Sequence, residues 1–325
     1  MQSFTNKTVL VTGAAGFIGS HVCDALLAAG AKVYGVDNLL TGSMKNLGHL
    51  LHGATHSFEF IEADVIESPS TYLPQDAVID YVFHFASPAS PPRYQAYPVE
   101  TYLVNSLATH QLLQFLLTSH PEARFIFAST SEAYGNPEVH PQPETYWGNV
   151  NPNGPRSCYD EAKRLGETIC GVHHRDLGLD VRIVRIFNTY GPRIDPVDGR
   201  VIPQFLSEAL KGEPFTIQGD GSQTRSYCYV DDLVRGVLAL ATTDEAAGET
   251  VNIGNPEEHT ILETAQIIAE IVGVNPDNMV FKPLPVDDPL RRKPDITKAQ
   301  RLLQWHPEVS FKDGLAKTLT YFKQQ

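Results

Sequence analysis

Tyr159 and Lys163 stand four residues apart in CYDEAKRLGE, a spacing that puts both side chains on one face of a helix, a turn apart. A phenol, with an ordinary pKa of about 10, is a poor base at neutral pH. A cation one turn away favours its charged form, and a tyrosine so assisted can take a proton from a hydroxyl group. A second set lies in STSEAYG, where Thr130 and Ser131 offer hydroxyls and Glu132 a carboxylate. Glu132 is a site acid, a surface acid or a cap for the turn that follows, and its place on a loop favours the site.

Proton removal of this kind becomes useful when hydride leaves the same carbon, which requires an electron acceptor. Residues 8–29, TVLVTGAAGFIGSHVCDALLAA, have the form of a dinucleotide site. Val9, Leu10 and Val11 make the apolar run of a buried parallel strand. Gly13, Gly16 and Gly19 follow, letting the backbone turn sharply, approach a ligand and pack the next helix closely. Phe17, Ile18, Val22, Leu26 and Leu27 recur at helical spacing, so a pyrophosphate would meet a helix N-terminus. The next predicted strand, Lys32 to Val36, runs into Asp37. That carboxylate is either a solvated strand end or the partner of the adenosine ribose hydroxyls, where it would repel a 2′-phosphate, so the expected cofactor is NAD rather than NADP.

The elements that position these groups follow by alternation. Strands are expected at Phe58 to Ile61, Tyr81 to Phe85, Arg124 to Ala128 and Val181 to Phe187, and helices at Leu103 to Leu117 and Glu161 to His174. Such alternation predicts an α/β fold, a Rossmann-type doubly wound parallel sheet with helices on both faces, binding ligands beyond the strand C-termini. Three loops fall there: residues 86–98, ASPASPPRYQAYP, too proline-rich to continue an element; residues 129–135; and residues 188–193, NTYGPR. Beyond Gly191 prolines thicken and strands shorten, and helices are expected at Asp231 to Ala241, Ile261 to Val272 and Gly314 to Tyr321. The division is therefore residues 1–190 as the dinucleotide-binding domain and 191–325 as a smaller α/β substrate lobe, with a soft boundary that the chain crosses back over.

The bulk numbers narrow the classes. The 325 residues, 42% hydrophobic and 19% charged, suit a globular protein with a large core. A formal net charge of -13 argues against nucleic-acid binding. The sequence shows neither an apolar run approaching the roughly 20 residues of a membrane span nor a basic-then-apolar N-terminus, so no membrane association and a cytoplasmic location are expected. Cys23, Cys158, Cys170 and Cys228 are scattered, as reduced thiols are, and no metal is expected. His173 and His174 are adjacent, point apart on a helix, and read as helix-surface histidines.

GAAGFIG, Asp37, STSEAYG and the Tyr159-Asp-Glu-Ala-Lys163 run resemble the extended short-chain dehydrogenase/reductase superfamily of nucleotide-sugar enzymes. Longer phrases resemble the UDP-glucuronate decarboxylase, or UDP-xylose synthase, family: residues 86–92, 137–164, RIFNTYGPR (185–193), DGRV (198–201), GNPEEHTI (254–261) and RKPDI (292–296). The resemblance implies NAD-dependent decarboxylation of UDP-glucuronate to UDP-xylose and CO2 through a UDP-4-keto intermediate, with the hydride returned, and a homodimer formed through a helix pair. It implies Tyr159 as base, Lys163 orienting it, Thr130 hydrogen-bonded at C4, and Glu132 and Arg292 acting near C5. Ser131 stands where 4,6-dehydratases usually carry an aspartate, and serine cannot readily supply that proton.

The resemblance further implies a cofactor site of Gly13, Gly16, Phe17, Ile18, Gly19, Asp37, Asn38, Asp64, Val65, Ala86, Asn105, Tyr159 and Lys163. It implies a substrate site of Pro88, Tyr94, Glu132, Asn188, Arg200, Gln218, Arg225 and Arg292, in which Asn188 and Arg225 meet the diphosphate. Gln218 replaces an aromatic common in the family. The competing readings are a nucleotide-sugar 4-epimerase or 4,6-dehydratase, a decarboxylase that releases the 4-keto pentose, and a non-catalytic NAD-sensing module.

Overall fold

The computed structural model describes residues 4–51 and 57–325. In chain order β1 (Thr8–Thr12), α1 (Phe17–Ala28), β2 (Lys32–Asp37), β3 (Phe58–Glu62) and β4 (Tyr81–His84) lead into α2 (Pro91–Ala96) and α3 (Pro98–Ser119). Then come β5 (Arg124–Thr130), α4 (Ser157–Arg175) and β6 (Asp180–Ile186). The second part holds α5 (Val201–Lys211), β7 (Phe215–Gln218), β8 (Thr224–Ser226), α6 (Val230–Thr242), β9 (Thr250–Ile253), β10 (Glu258–Thr260), α7 (Ile261–Val272), β11 (Met279–Lys282) and α8 (Phe311–Phe322).

Seven strands form one parallel sheet in the order β9-β6-β5-β4-β1-β2-β3. Strands buried on both faces must be apolar throughout, and Val9, Leu10, Val11, Val82, Phe83, Phe125, Ile126 and Phe127 are fully buried. Leu10, Val82, Phe125 and Phe127 pack with Leu112, Leu113 and Leu116 of α3 on one face. Val9, Val11, Phe83 and Ile126 belong to the core of the opposite face, with Val22 and Leu26 of α1 and Leu233 and Val237 of α6. The outermost strand β9 comes from residues beyond 190, so the sheet is completed by the second part of the chain. Three small pairs, antiparallel β8–β10, parallel β7–β11 and the parallel pair of Thr189–Tyr190 with Cys228–Tyr229, accompany the helices of that part.

Some expectations change. Residues 86–98 are not loop throughout: prolines at the first two positions of α2 and at the start of α3 lack only the N–H groups that a helix start leaves unpaired. Strand β5 runs on to Thr130, which carries Thr130 into the site as a strand end. His173 is not a surface histidine. It is 4% exposed, with Nδ1 against the Ile169 carbonyl at 2.8 Å and Nε2 against Gln114 of α3 at 3.0 Å, because α3 and α4 pack along their lengths.

Candidate active site

Gly13 has a φ of +74° and lies so close to the β4 end that a Cβ there would stand 2.7 Å from the Ala86 nitrogen. The chain therefore turns directly from β1 into α1, whose N-terminus carries no side-chain cap. That N-terminus opens onto a cavity of about 810 Å³, lined on this side by Gly13, Gly16, Phe17, Ile18 and Gly19. A smaller slot of about 100 Å³ adjoins it, lined by Asp37, Asn38, Asp64, Val65, Ala86 and Pro88. Asp37 is 8% exposed and its carboxylate accepts from the Ala15 N–H at 3.0 Å and the Leu39 N–H at 2.8 Å. Burial pushes its pKa up while those backbone donors oppose the rise. Asn38 Nδ2 donates to Asp64 at 3.1 Å across the slot. An open helix start, a backbone cradle that a Cβ would fill and an acid beside an apolar slot fit a dinucleotide without a 2′-phosphate.

Tyr159 and Lys163 face the same cavity from the first turns of α4. Tyr159 is 5% exposed, and its ring stacks on Tyr94 with centroids 5.0 Å apart. The expected cationic support is weaker than the spacing suggests. Lys163 Nζ donates to the Ala128 carbonyl at 2.6 Å and lies 5.7 Å from the Tyr159 ring centroid. Among the described residues no carboxylate is paired with it, so burial pushes the ammonium down to about 7. Burial likewise pushes the Tyr159 phenol up to about 12, with Thr130 and Arg200 on the opposing side. The proximity that the helix enforces is real, but removal from water dominates both groups.

Thr130, Ser131 and Glu132 follow at the end of β5, where the Thr130 hydroxyl accepts from the Glu132 N–H at 3.2 Å. Thr130 is thus the cap of this turn, and Glu132 is neither a cap nor a surface acid. Its carboxylate is paired with Arg292 on one oxygen and with Arg156 at 2.9 Å on the other. Burial opposes its charge, but Arg292 and Arg156 outweigh burial and hold the carboxyl down to about 2. Arg156 also reaches Asp288 at 3.1 Å, and Asp288 pairs with Arg225 at 2.7 Å. Arg200 is held by Asp198 at 2.5 Å.

Tyr94, Asn188, Arg200, Gln218, Arg225 and Arg292 all line the large cavity with Thr130, Ser131 and Glu132. Asn105 lines neither cavity nor slot; it is buried in α3 and donates to Ser87 Oγ at 2.9 Å, standing behind the rim. Sequence reasoning assigned nothing to Arg156, Asp288 or Asp198. Arg156 sits three residues from Tyr159 and Asp288 four from Arg292, but their roles follow only from ion pairs between distant parts of the chain, whereas Asp198 pairs locally with Arg200. Among the described residues no group of His, Cys, Asp and Glu is placed to hold a metal, and no helix is long and apolar enough to cross a membrane.

Comparison with known proteins shows the family. Residues 9–254 match the NAD dependent epimerase/dehydratase family. UDP-glucuronic acid decarboxylase 1 of Danio rerio is 47% identical over 319 residues, covering 98% of this chain and 73% of the relative. UDP-glucuronic acid decarboxylase 2 of Arabidopsis thaliana is 47% identical over 317 residues, covering 98% and 68%. Among solved structures, UDP-glucuronic acid 4-epimerase of Bacillus cereus, in complex with UDP-glucuronic acid and NAD, superposes with a TM-score of 0.85 at 34% identity, covering 98% of this chain and 99% of the other. The chain belongs to the NAD dependent epimerase/dehydratase family, and over nearly its whole length it is similar to UDP-glucuronic acid decarboxylases.

Proposed function

We propose that the protein converts UDP-glucuronate to UDP-xylose and CO2 with NAD as a bound, recycled cofactor. The observation that carries this reading is the buried Arg292–Glu132–Arg156 clamp beside Thr130 and Tyr159. Arg292 Nε has no hydrogen-bond partner among the described residues and is left to receive the carboxylate on C5. Dehydration needs a protonated acid beside the sugar. The clamp keeps Glu132 ionised and Ser131 is an alcohol, so that acid is missing from these two positions.

In this reading Tyr159 Oη takes the proton of the C4 hydroxyl, which Thr130 holds by hydrogen bonding. Lys163, fixed on the Ala128 carbonyl, positions the tyrosine. NAD, when bound, supplies the hydride acceptor and returns the hydride. The ketone at C4 makes C5 a β-keto acid carbon, whose bond to CO2 breaks because the electron pair delocalises into an enolate. Arg225 and Asn188 take the diphosphate, and Arg200 and Gln218 the nucleoside. Gly13, Gly16, Phe17, Ile18, Gly19, Asp37, Asn38, Asp64, Val65 and Ala86 take the cofactor, with Asn105 supporting the rim through Ser87. Residues 1–190 with the returning strand β9 form the NAD-binding part, and residues 191–325 supply the substrate lobe.

The reading extends to a homodimer through α3 and α4, supported by exposed Val99, Tyr102, Leu107, Leu165 and Val172 on those helices, and to the cytoplasm, supported by four unpaired cysteines. Light scattering reads the dimer as twice the 35.8 kDa chain mass. The deciding experiment incubates the protein with UDP-glucuronate and catalytic NAD and follows CO2 and UDP-pentose by mass. Formation of UDP-xylose supports the reading; unchanged UDP-glucuronate together with turnover of UDP-glucose overturns it in favour of an epimerase. Stoichiometric reduced NAD with a 4-keto pentose identifies the decarboxylase that does not return the hydride.

A further inference from the structure

Decarboxylation has a proton requirement that the groups named so far do not meet. CO2 leaves its electron pair on C5, and a proton must form the new C5–H bond. The proton that Tyr159 removes from the C4 hydroxyl goes back to the C4 oxygen when that carbon is reduced again. Each turnover therefore takes up one further proton, and it has to wait close to C5. Glu132 cannot hold it, because the two guanidiniums keep its carboxylate charged far below neutral pH.

Asp160 is a second carboxyl group against the same cluster. It follows Tyr159 on α4, is 6% exposed, and its Oδ1 is buried with no hydrogen-bond partner among the described residues. Two further polar atoms nearby share that condition, Tyr94 Oη and Arg156 Nε, and all three residues interact electrostatically with Glu132. Tyr94 and Arg156 line the cavity, whereas Asp160 does not. Buried polar atoms without protein partners are sites for ordered water, and a hydroxyl such as Tyr94's can both accept and donate a proton.

We propose that Asp160 is the proton store for C5: its protonated carboxyl delivers a proton, through water ordered by Tyr94 Oη and Arg156 Nε, to the enolate left by CO2. The inference rests on the decarboxylase reading above. The Asp160 O–H bond breaks and a C5–H bond forms through the water; the resulting carboxylate faces Arg156; and solvent returns one proton before the next turnover. The charges around Asp160 agree with this duty. Burial, reinforced by ionised Glu132 and by Glu161, favours the neutral acid and pushes it up to about 8, while Arg156 and Arg292 oppose the rise. Tyr159, Tyr94 and Cys158 also interact electrostatically with Asp160. Asp160 acts through water and is a positioning and proton-relay residue, not one that touches the sugar.

The test uses the protein with NAD and UDP-glucuronate, and the variants D160N and D160E. In the free proteins, the infrared difference between wild type and D160N shows a protonated carboxylic acid at neutral pH that titrates at about 8. With substrate, the wild-type turnover number falls as pH rises through the same range, because the acid form is lost. D160N abolishes that limb and slows the reoxidation of transiently reduced NAD by on the order of 100-fold, with CO2 still released. D160E keeps an acid there and shows the limb at a shifted pH, which decides the matter should D160N fail to fold. A carboxylate band at neutral pH, or a wild-type pH limb and wild-type reoxidation in the folded variants, overturns the proposal. Failure of wild type to release CO2 from UDP-glucuronate would instead overturn the parent reading.

Discussion

The Tyr159–Lys163 pair and the Glu132–Arg156–Arg292 clamp share one cavity and comparable burial, yet burial acts on them in opposite ways. Lys163 meets a carbonyl dipole and two aromatic rings, so its charge is poorly compensated and its pKa drops to about 7. The arginines meet carboxylates, so the charges on both sides persist and Glu132 is held down to about 2. The difference teaches that a buried charge is kept in full only where a counter-charge is built in, and that the pair without one carries less charge than it would in water. The clamp is ionic from the start, and Asp288 already occupies Arg225, where an anionic ligand would have to compete.

The comparison breaks first at Tyr159. Y159F should cut the turnover number on the order of 1,000-fold while calorimetric titration shows NAD binding unchanged, the loss expected of a general base. Activity within tenfold of wild type would take Tyr159 out of that role. E132Q tests the clamp itself. Leaving two buried guanidiniums without their carboxylate should cost about 3 kcal/mol in urea unfolding. The sign of the pH dependence follows from the depressed pKa: the stabilisation is full above the ordinary 4.5, is lost as pH falls from there toward 2, and should be absent in E132Q.

R225A sharpens the assignment of the clamp's outer end. It should raise KM for the nucleotide sugar about ten- to hundredfold with little change in the turnover number, the worth of one charge-assisted hydrogen bond. An unchanged KM would make Arg225 a structural partner of Asp288 alone. The smallest effect on stability is at Lys163. Its folded pKa lies below the ordinary 10.5, so the unfolded chain binds more protons between about 7 and 10.5 and stability rises with pH across that window. K163M should therefore melt about 2–4 °C above wild type at neutral pH, with the gap closing toward pH 10, while losing activity. A lower melting temperature at neutral pH would show that the bond to Ala128 outweighs the burial cost.

Local features were legible in the chain. Gly13, Gly16 and Gly19 between Val9–Val11 and a helical apolar repeat predict the first unit, because the turn, the close approach to Ala86 and the helix start depend on neighbouring residues. The four-residue spacing likewise predicts Tyr159 and Lys163 on one helix face. Helix α7 is found at its expected bounds, Ile261–Val272, with a Thr260–Glu263 capping box at its start and Gly273 at its end, local features that need no tertiary context. The burial of His173 against Gln114 of α3 was not legible, since a helix histidine reads the same whether it faces water or a second helix.

By itself the sequence determined the supersecondary units, the glycine cradle, the acid at the end of β2 and the tyrosine–lysine face, because backbone conformation, helix periodicity and strand length are set over a few residues. Only the tertiary structure decided that Glu132 lies between Arg156 and Arg292, that Asp288 spans Arg156 and Arg225, that Lys163 spends its hydrogen bond on Ala128, and that β9 closes the sheet. Ion pairs across 24 and 160 residues depend on sheet order and on which loops share a rim. The sign and size of each pKa shift depend on how much water that assembly leaves beside the charge, which no spacing along the chain records.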